Sequence, residues 1–182
     1  MIIKINELNT HEMLYMAENG IKLRNQIYSL IHSQPELEKV VLDMAGIESI
    51  DSSFCREGFV KIISLLQTDT ERPQLIFINA TDNVRNNLHD SFTGWDKTGI
   101  VKTSDSKTHI IGKQSPHLFE TLKVMLKLKE ARTKDIATHL DNLPLTTLNN
   151  RMKSLYEMCV ISRKEVIQGS GGKEYLYCLD IE

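Results

Sequence analysis

Two short segments constrain this chain more than any other feature. Lys39-Val40-Val41-Leu42-Asp43-Met44 and Gln74-Leu75-Ile76-Phe77-Ile78-Asn79 are almost continuous apolar runs of strand length. A strand wet on one face alternates apolar and polar residues, whereas a run without alternation is buried on both faces. The chain around these runs supplies helices. Ile21, Leu23, Ile27, Leu30 and Ile31 recur at roughly helical spacing up to Ser33, and Pro35 stops the helix. Phe54, Cys55, Phe59, Ile62, Ile63 and Leu66 share one face of a second helix, with Arg56, Glu57 and Lys61 on another. Thr81 or Asp82 caps a third, with Val84, Leu88 and Phe92 inward. Met1–Asn6 reads as a leading strand and residues 46–50 as a loop. Ile100–Lys102 and Thr108–Ile111 read as short closing strands. Strands alternating with helices predict an α/β domain with a mainly parallel sheet over residues 1–112.

A second pattern begins after a polar linker at Gly112–Ser115. Ser115-Pro116 is a helix start, with Ser as cap and Pro at the first position. Leu118, Phe119, Leu122, Met125 and Leu126 form its buried stripe. Thr133 caps a short helix over 134–140, and Asp141-Asn142-Leu143-Pro144 is a turn. A third helix follows to Met158, with Leu145, Leu148, Met152 and Leu155 as its core face. Two β-rich runs, residues 162–168 and 174–179, then flank Gly169-Ser170-Gly171-Gly172, the pattern of a hairpin. Three helices and a hairpin predict a winged helix-turn-helix over residues 113–182. These residues carry 11 Lys and Arg against 9 Asp and Glu, while residues 1–112 carry 11 against 15. The slightly basic second half is compatible with nucleic acid but far less basic than strong binders.

Two resemblances emerge from these residues. "KVVLDMAGIESIDSSFCREGFVKIISLL", residues 39–66, resembles the central segment of STAS-like domains, relatives of sulphate-transporter and anti-sigma-factor-antagonist domains. The upstream "GIKLRNQI" and downstream "LIFINA" fit the same pattern. The resemblance implies a partner-binding domain, with a histidine-kinase-like ATPase as a possible partner. It also implies a regulatory loop at Asp51, Ser52, Ser53 and Phe54, in which Ser52 matches the phosphorylated serine of the antagonists. Those antagonists continue Ser-Ser-Gly, whereas Phe54 stands here. Capping of the helix by Asp51, Ser52 and Ser53 explains the same residues without phosphorylation. "TKDIATHL" with "LPLTTLNNRMKSLYEMCVISRK" resembles bacterial winged helix-turn-helix regulators. Helical steps from Leu148 set Thr146, Asn150, Lys153 and Glu157 opposite the core face, with Thr147, Asn149 and Ser154 at the flanks, and the Glu157 carboxylate there counts against DNA. Asn and Thr can read base edges, and Lys can meet guanine or phosphate. Arg163, Lys164 and Lys173 on the wing could meet phosphates. An ordinary solvated face, or a protein-interaction module, is the alternative.

Enzyme chemistry has no matching pattern. There is no GxxxxGK[ST] phosphate loop, GxSxG elbow or HExxH helix in the chain. Asp43, Asp51 and Asp82 fall where a parallel sheet could hold Mg²⁺, but loop polarity and capping account for them equally. No metal or other cofactor is expected. Cys55, Cys159 and Cys178 are far apart in apolar runs, which suits reduced thiols in a cytoplasm. No stretch approaches the ~20 apolar residues of a membrane span. The expectation is a non-enzymatic bacterial regulator, DNA-binding and homodimeric, with the kinase-partner adaptor as the alternative.

Overall fold

The computed structural model describes residues 1–9, 11–34, 36–69, 72–113, 115–167 and 173–181. Pro35 and the Gly-rich tip at 169–172 lie outside them, as do the side chains of Ile167 and Lys173. The first half runs β1 Ile2–Lys4, α1 Ile5–Leu8, β2 Met13–Leu14, α2 Ala17–His32, β3 Lys39–Asp43 and β4 Ser49–Ile50. A helical stretch follows, built of α3 Ser52–Cys55, a π turn at Arg56–Val60 and α4 Lys61–Leu66. Then come β5 Gln74–Ala80, α5 Asp82–Gly94, β6 Thr98–Thr103 and β7 Thr108–Gly112. The central sheet has the order β1-β3-β5-β6-β7, parallel except for β7. The fold is therefore mixed α/β around a mainly parallel sheet. The leading strand is shorter than expected, because the chain turns into α1 at Ile5. Part of the expected 46–50 loop is β4, which pairs with β2 in a two-stranded ribbon.

Strand order fixes where the helices go. Each parallel strand is added on the same side of the previous one. Right-handed crossovers then place every connecting helix on one face. Val40, Leu42, Leu75, Phe77, Val101 and Ile111 point to that face and pack with α2, the 52–66 stretch and α5. Phe54, Phe59, Phe77 and Phe92 form a file of rings with successive centroids 6.1, 5.3 and 5.8 Å apart. Gly20 lets α2 cross the 52–66 stretch closely, since a Cβ there would lie 2.7 Å from the Phe54 carbonyl oxygen. Ile21 and Leu30, expected inward, lie on the flank of α2 and are about one-third exposed, 36% and 37%.

The other face is apolar too. The register aligns Ile2, Val41, Ile76, Ile100 and Ile110 in one row across five strands. Residues 116–181 cover most of it. They form α6 Pro116–Leu128, β8 Glu130–Arg132, α7 Thr133–Ala137, α8 Leu145–Glu157, β9 Ser162–Ile167 and β10 Lys173–Cys178. The three strands make an antiparallel sheet of order β8-β10-β9. Ile76 and Ile100 join one buried cluster with Leu122, Met125, Val160, Ile161 and Leu179. Backbone bonds reinforce the seam. The Cys159 carbonyl accepts from Leu75 N at 2.7 Å, and Gln67 Nε2 donates to the Glu157 carbonyl at 2.8 Å. The Tyr156 hydroxyl accepts from Arg72 N at 3.1 Å, and Lys39 pairs with Asp180.

Several expectations change in this half. Leu145, expected in the core, is 51% exposed, because α8 begins there and its first turn projects past the packing. Phe119 is half-buried outside the core clusters, with the Lys123 amine 4.2 Å from its ring. Ser115 makes no side-chain cap, and its hydroxyl meets His117 Nε2 instead. Thr133 is the first helical residue rather than the cap, which is Arg132. β8 was not expected, since Glu-Ala-Arg carries no strand pattern and pairs only with Leu176–Cys178.

Candidate functional site

The exposed face of α8 is the first candidate. Leu148, Met152, Leu155 and Tyr156 bury one side of this helix. The helix enters through Asp141 and Asn142, both at positive φ (49° and 55°), a conformation short polar side chains tolerate. Thr146, Thr147, Asn149, Asn150 and Lys153 are all exposed. Asn149, Asn150 and Lys153 border a groove of about 580 Å³ between α8, the start of α7 and the β9–β10 pair. Thr133, Lys134, Leu145, Arg163, Glu174, Tyr175 and Tyr177 complete its lining. Thr147 faces the other flank, a shallower depression shared with His117, Arg151 and Ser154. Thr146 lines neither.

Hydrogen bonding sorts these residues further. Thr133 Oγ1 donates to Asn149 Oδ1 at 2.8 Å, tying α7 to α8. Lys153 lies 3.8 Å from Glu157, a loose exposed pair. The Arg163 guanidinium sits between the rings of Tyr156 and Tyr175, 4.1 and 4.2 Å from their centroids. It is a packed element of the groove wall as well as a charge. Glu174 is tied to Arg132 at 3.1 Å, which offsets its charge in the groove. Lys164 is not brought to this site. It points to the first half of the chain and pairs with Glu38 at 2.9 Å. Lys173 begins β10, but its side chain is outside the described residues. Lys134 and Tyr175, to which the sequence pattern gives no role, belong to the groove, as does Leu145, whose spacing predicts a core position. Lys134 follows directly on the Thr133 that contacts α8, a proximity visible only once the two helices are placed.

The 51–54 loop is the second candidate. Asp51 caps α3: its Oδ1 accepts from Phe54 N at 2.6 Å and from Ser53 Oγ at 2.7 Å. Its Oδ2 accepts from Met16 N at 2.8 Å. Burial pushes this carboxyl up, but the hydrogen bonds from Phe54, Ser53 and Met16 outweigh it and hold the group below the usual carboxylate range. Met16 has φ 74° and ψ 131°, a strained backbone for a side chain this large. Phe54 is completely buried, so it turns inward and leaves the loop uncovered. Ser52 is exposed at the first position of α3. Met13, Tyr15 and Met16 are exposed hydrophobics of the adjoining segment, and the Tyr15 hydroxyl meets Ser49 Oγ at 2.9 Å.

The other acids are accounted for locally. Asp43 accepts from Ala45 N and Asn79 Nδ2, and Asp82 pairs with Arg85. Among the described residues no group of three or more His, Cys, Asp or Glu could hold a metal ion. Burial pushes the thiols of Cys55 and Cys159 up to about 12, whereas Cys178 is half-buried, against Glu130. No helix among the described residues is long and apolar enough to cross a membrane.

A family model described as a STAS-like domain of unknown function (DUF4325) matches residues 19–85. That segment runs from α2 through the 51–54 loop to the first turn of α5. The similarity indicates a regulatory or partner-binding role. No curated protein matches the chain, and no solved structure does.

Proposed function

We propose that this chain is a non-enzymatic cytoplasmic regulator in which residues 116–181 act as a winged helix on duplex DNA. Residues 1–112 form the STAS-like partner-binding domain that carries it. The observation behind this reading is the outer face of α8. It offers amides, hydroxyls and an ammonium at Thr146, Thr147, Asn149, Asn150 and Lys153, beside a groove walled by a two-stranded antiparallel pair. Such a face suits base edges, with Lys134, Lys153 and Arg163 near the backbone phosphates. Lys164 is assigned to the seam with Glu38 rather than to DNA. A homodimer would present two such helices to a two-fold site.

The test is fluorescence anisotropy of the full chain on mixed-sequence duplexes across a salt series. Affinity should fall linearly on a log–log plot, and Lys153→Ala should reduce the slope by about 1. Asn150→Ala should weaken binding with the slope kept. A folded protein with no binding at low salt would remove DNA from the proposal.

A second reading has its own support. Exposed Ser52, with Phe54 turned inward and Asp51 beside it bonded to Met16 N of a segment that exposes Met13, Tyr15 and Met16, suits a partner-switching loop. A histidine-kinase-like ATPase would then dock on this end and phosphorylate Ser52. Incorporation of ³²P from ATP into wild type but not Ser52→Ala, followed by loss of the partner, is the expected outcome.

A further inference from the structure

The row of apolar residues on the second face of the sheet is not covered along its whole length. Toward β1 the cover thins, and a cavity of about 220 Å³ opens between the sheet and the segment that carries Ile181. Its walls are aliphatic: Ile2, Val41, Ile76, Ile78 and Ile181. Its rim is polar and lies at the carboxyl ends of the parallel strands, where Asn79, Lys102, Thr103 and Ser106 meet. Open α/β sheets bind their ligands at these ends.

The register explains how the rim arises. One residue pair beyond the Ile2–Val41–Ile76–Ile100 row, the same face carries Lys4, Asp43, Ile78 and Lys102. Lys4 pairs with Glu7 at 2.9 Å, and the Asp43 carboxylate is engaged by Ala45 N and Asn79 Nδ2. Half-buried Lys102 is different. Among the described residues its ammonium has no carboxylate, carbonyl or hydroxyl partner. Among the described residues, no counter-charge stands beside this half-buried cation at the edge of an aliphatic cavity.

We propose that this cavity binds a small aliphatic monocarboxylate, with its carboxylate on Lys102 and its hydrocarbon body against Ile2, Val41, Ile76, Ile78 and Ile181. At protein packing density the space holds about eight non-hydrogen atoms, the size of a short branched-chain acid. A single lysine and five aliphatic walls disfavour a phosphate dianion, and an amine would be repelled. Asn79 and Ser106 supply polar contacts at the rim. Because Ile181 closes one side, an occupied cavity joins the sheet to the C-terminal half. The site stands apart from the α8 groove and does not depend on DNA binding.

The experiment is a methyl-NMR titration of the full chain, labelled at isoleucine δ1 methyls, with isovalerate and with its neutral amide, isovaleramide. Saturable shifts should appear at Ile2, Ile76, Ile78 and Ile181, and not at Ile27 and Ile62 behind the sheet. The amide should bind at least about tenfold more weakly, since it lacks the charge-assisted bond. Lys102→Gln should weaken isovalerate by a similar factor, and Lys102→Arg should retain it. Three results would overturn the proposal: no saturable shift, equal binding of acid and amide, or shifts spread equally to Ile27 and Ile62. The acid–amide comparison needs no variant, so it decides the matter even if Lys102→Gln folds poorly. The titration contains no DNA, so its outcome is read separately from duplex binding.

Discussion

The two faces of the central sheet are both apolar, but their covers come from different distances along the chain. The helix face is covered by the connections between its own strands. Parallel strands need crossovers, and a strand order that grows in one direction sends all of them to one side. The same topology leaves Val41, Ile76 and Ile100 bare on the other side. There the cover is residues 116–181, which no strand connection places. The C-terminal half is thus part of what keeps the sheet dry, as well as a unit with a face of its own. Two halves joined only by a linker would leave that row wet.

The largest effect expected from a single change is on the helix face. Phe77 is 1% exposed and stands between Phe59 and Phe92 in the ring file. Phe77→Ala should destabilise the protein by about 3–5 kcal/mol, the cost of a large cavity that its neighbours cannot fill. Urea unfolding should show it as a lower midpoint, with protection from hydrogen exchange lost throughout the chain.

The matching change on the other face sharpens the comparison. Ile100 is fully buried among Leu122, Met125 and Ile161. Ile100→Ala should destabilise by about 3 kcal/mol. Its signature should be local: amides of α6 and α8 should lose protection before those of α2 and α5. Unchanged exchange across residues 116–181 would mean that the second cover is not held by the sheet, and the contrast would fail.

The two faces also differ in how far the sequence disclosed them. Lys39–Asp43 and Gln74–Ala80 carry doubly buried patterns, so the need for two covers was legible. The helices of the first cover were legible for the same reason, by period. The packing of the second cover on the sheet is not legible, because nothing local links Ile161 or Leu179 to Ile76. The 56–60 π turn was hidden as well. A uniform helix puts Glu57 outside with Arg56 and Lys61, but the wider turn carries it inward to 6% exposure. At the candidate site, the outward face of α8 was legible from its spacing. The diversion of Lys164 to Glu38 and the clasp of Arg163 by two tyrosines depend on packing that no spacing encodes.

Glu57 gives the next prediction. Its carboxylate meets Lys61 Nζ at 2.7 Å, Arg56 Nε at 3.0 Å and Arg24 at 3.5 Å. The hydrogen bond from Lys61 holds its pKa below the ordinary 4.5, against the opposing pull of burial, with Arg56 adding to it. A carboxyl whose pKa is lower folded than unfolded contributes stability fully above its unfolded value, and loses it as pH falls through the folded value. Glu57→Gln should therefore destabilise by about 2 kcal/mol near neutrality, since it leaves Arg24 without its counter-charge against the helix face. The gap between wild type and variant should narrow below about pH 4.5 and close on further acidification. A gap independent of pH would assign the loss to packing instead of charge.

The smallest effect separates the two roles given to basic residues of the C-terminal half. Lys164 and Glu38 form an exposed pair across the seam, with side chains 48% and 53% accessible. Exposed pairs contribute little, so Lys164→Ala should shift stability by about 0.5 kcal/mol or less. It should also leave duplex affinity and its salt slope unchanged, because the side chain points toward the first half of the chain. Lys153→Ala, on the outer face of α8, should do the reverse: stability held, with affinity and salt slope lowered. Equal losses of affinity in both variants would mean that nucleic acid contacts the seam as well as the groove. The second cover would then be a binding surface on the side where it meets the sheet, and the division between holding and reading would have to be redrawn around Glu38.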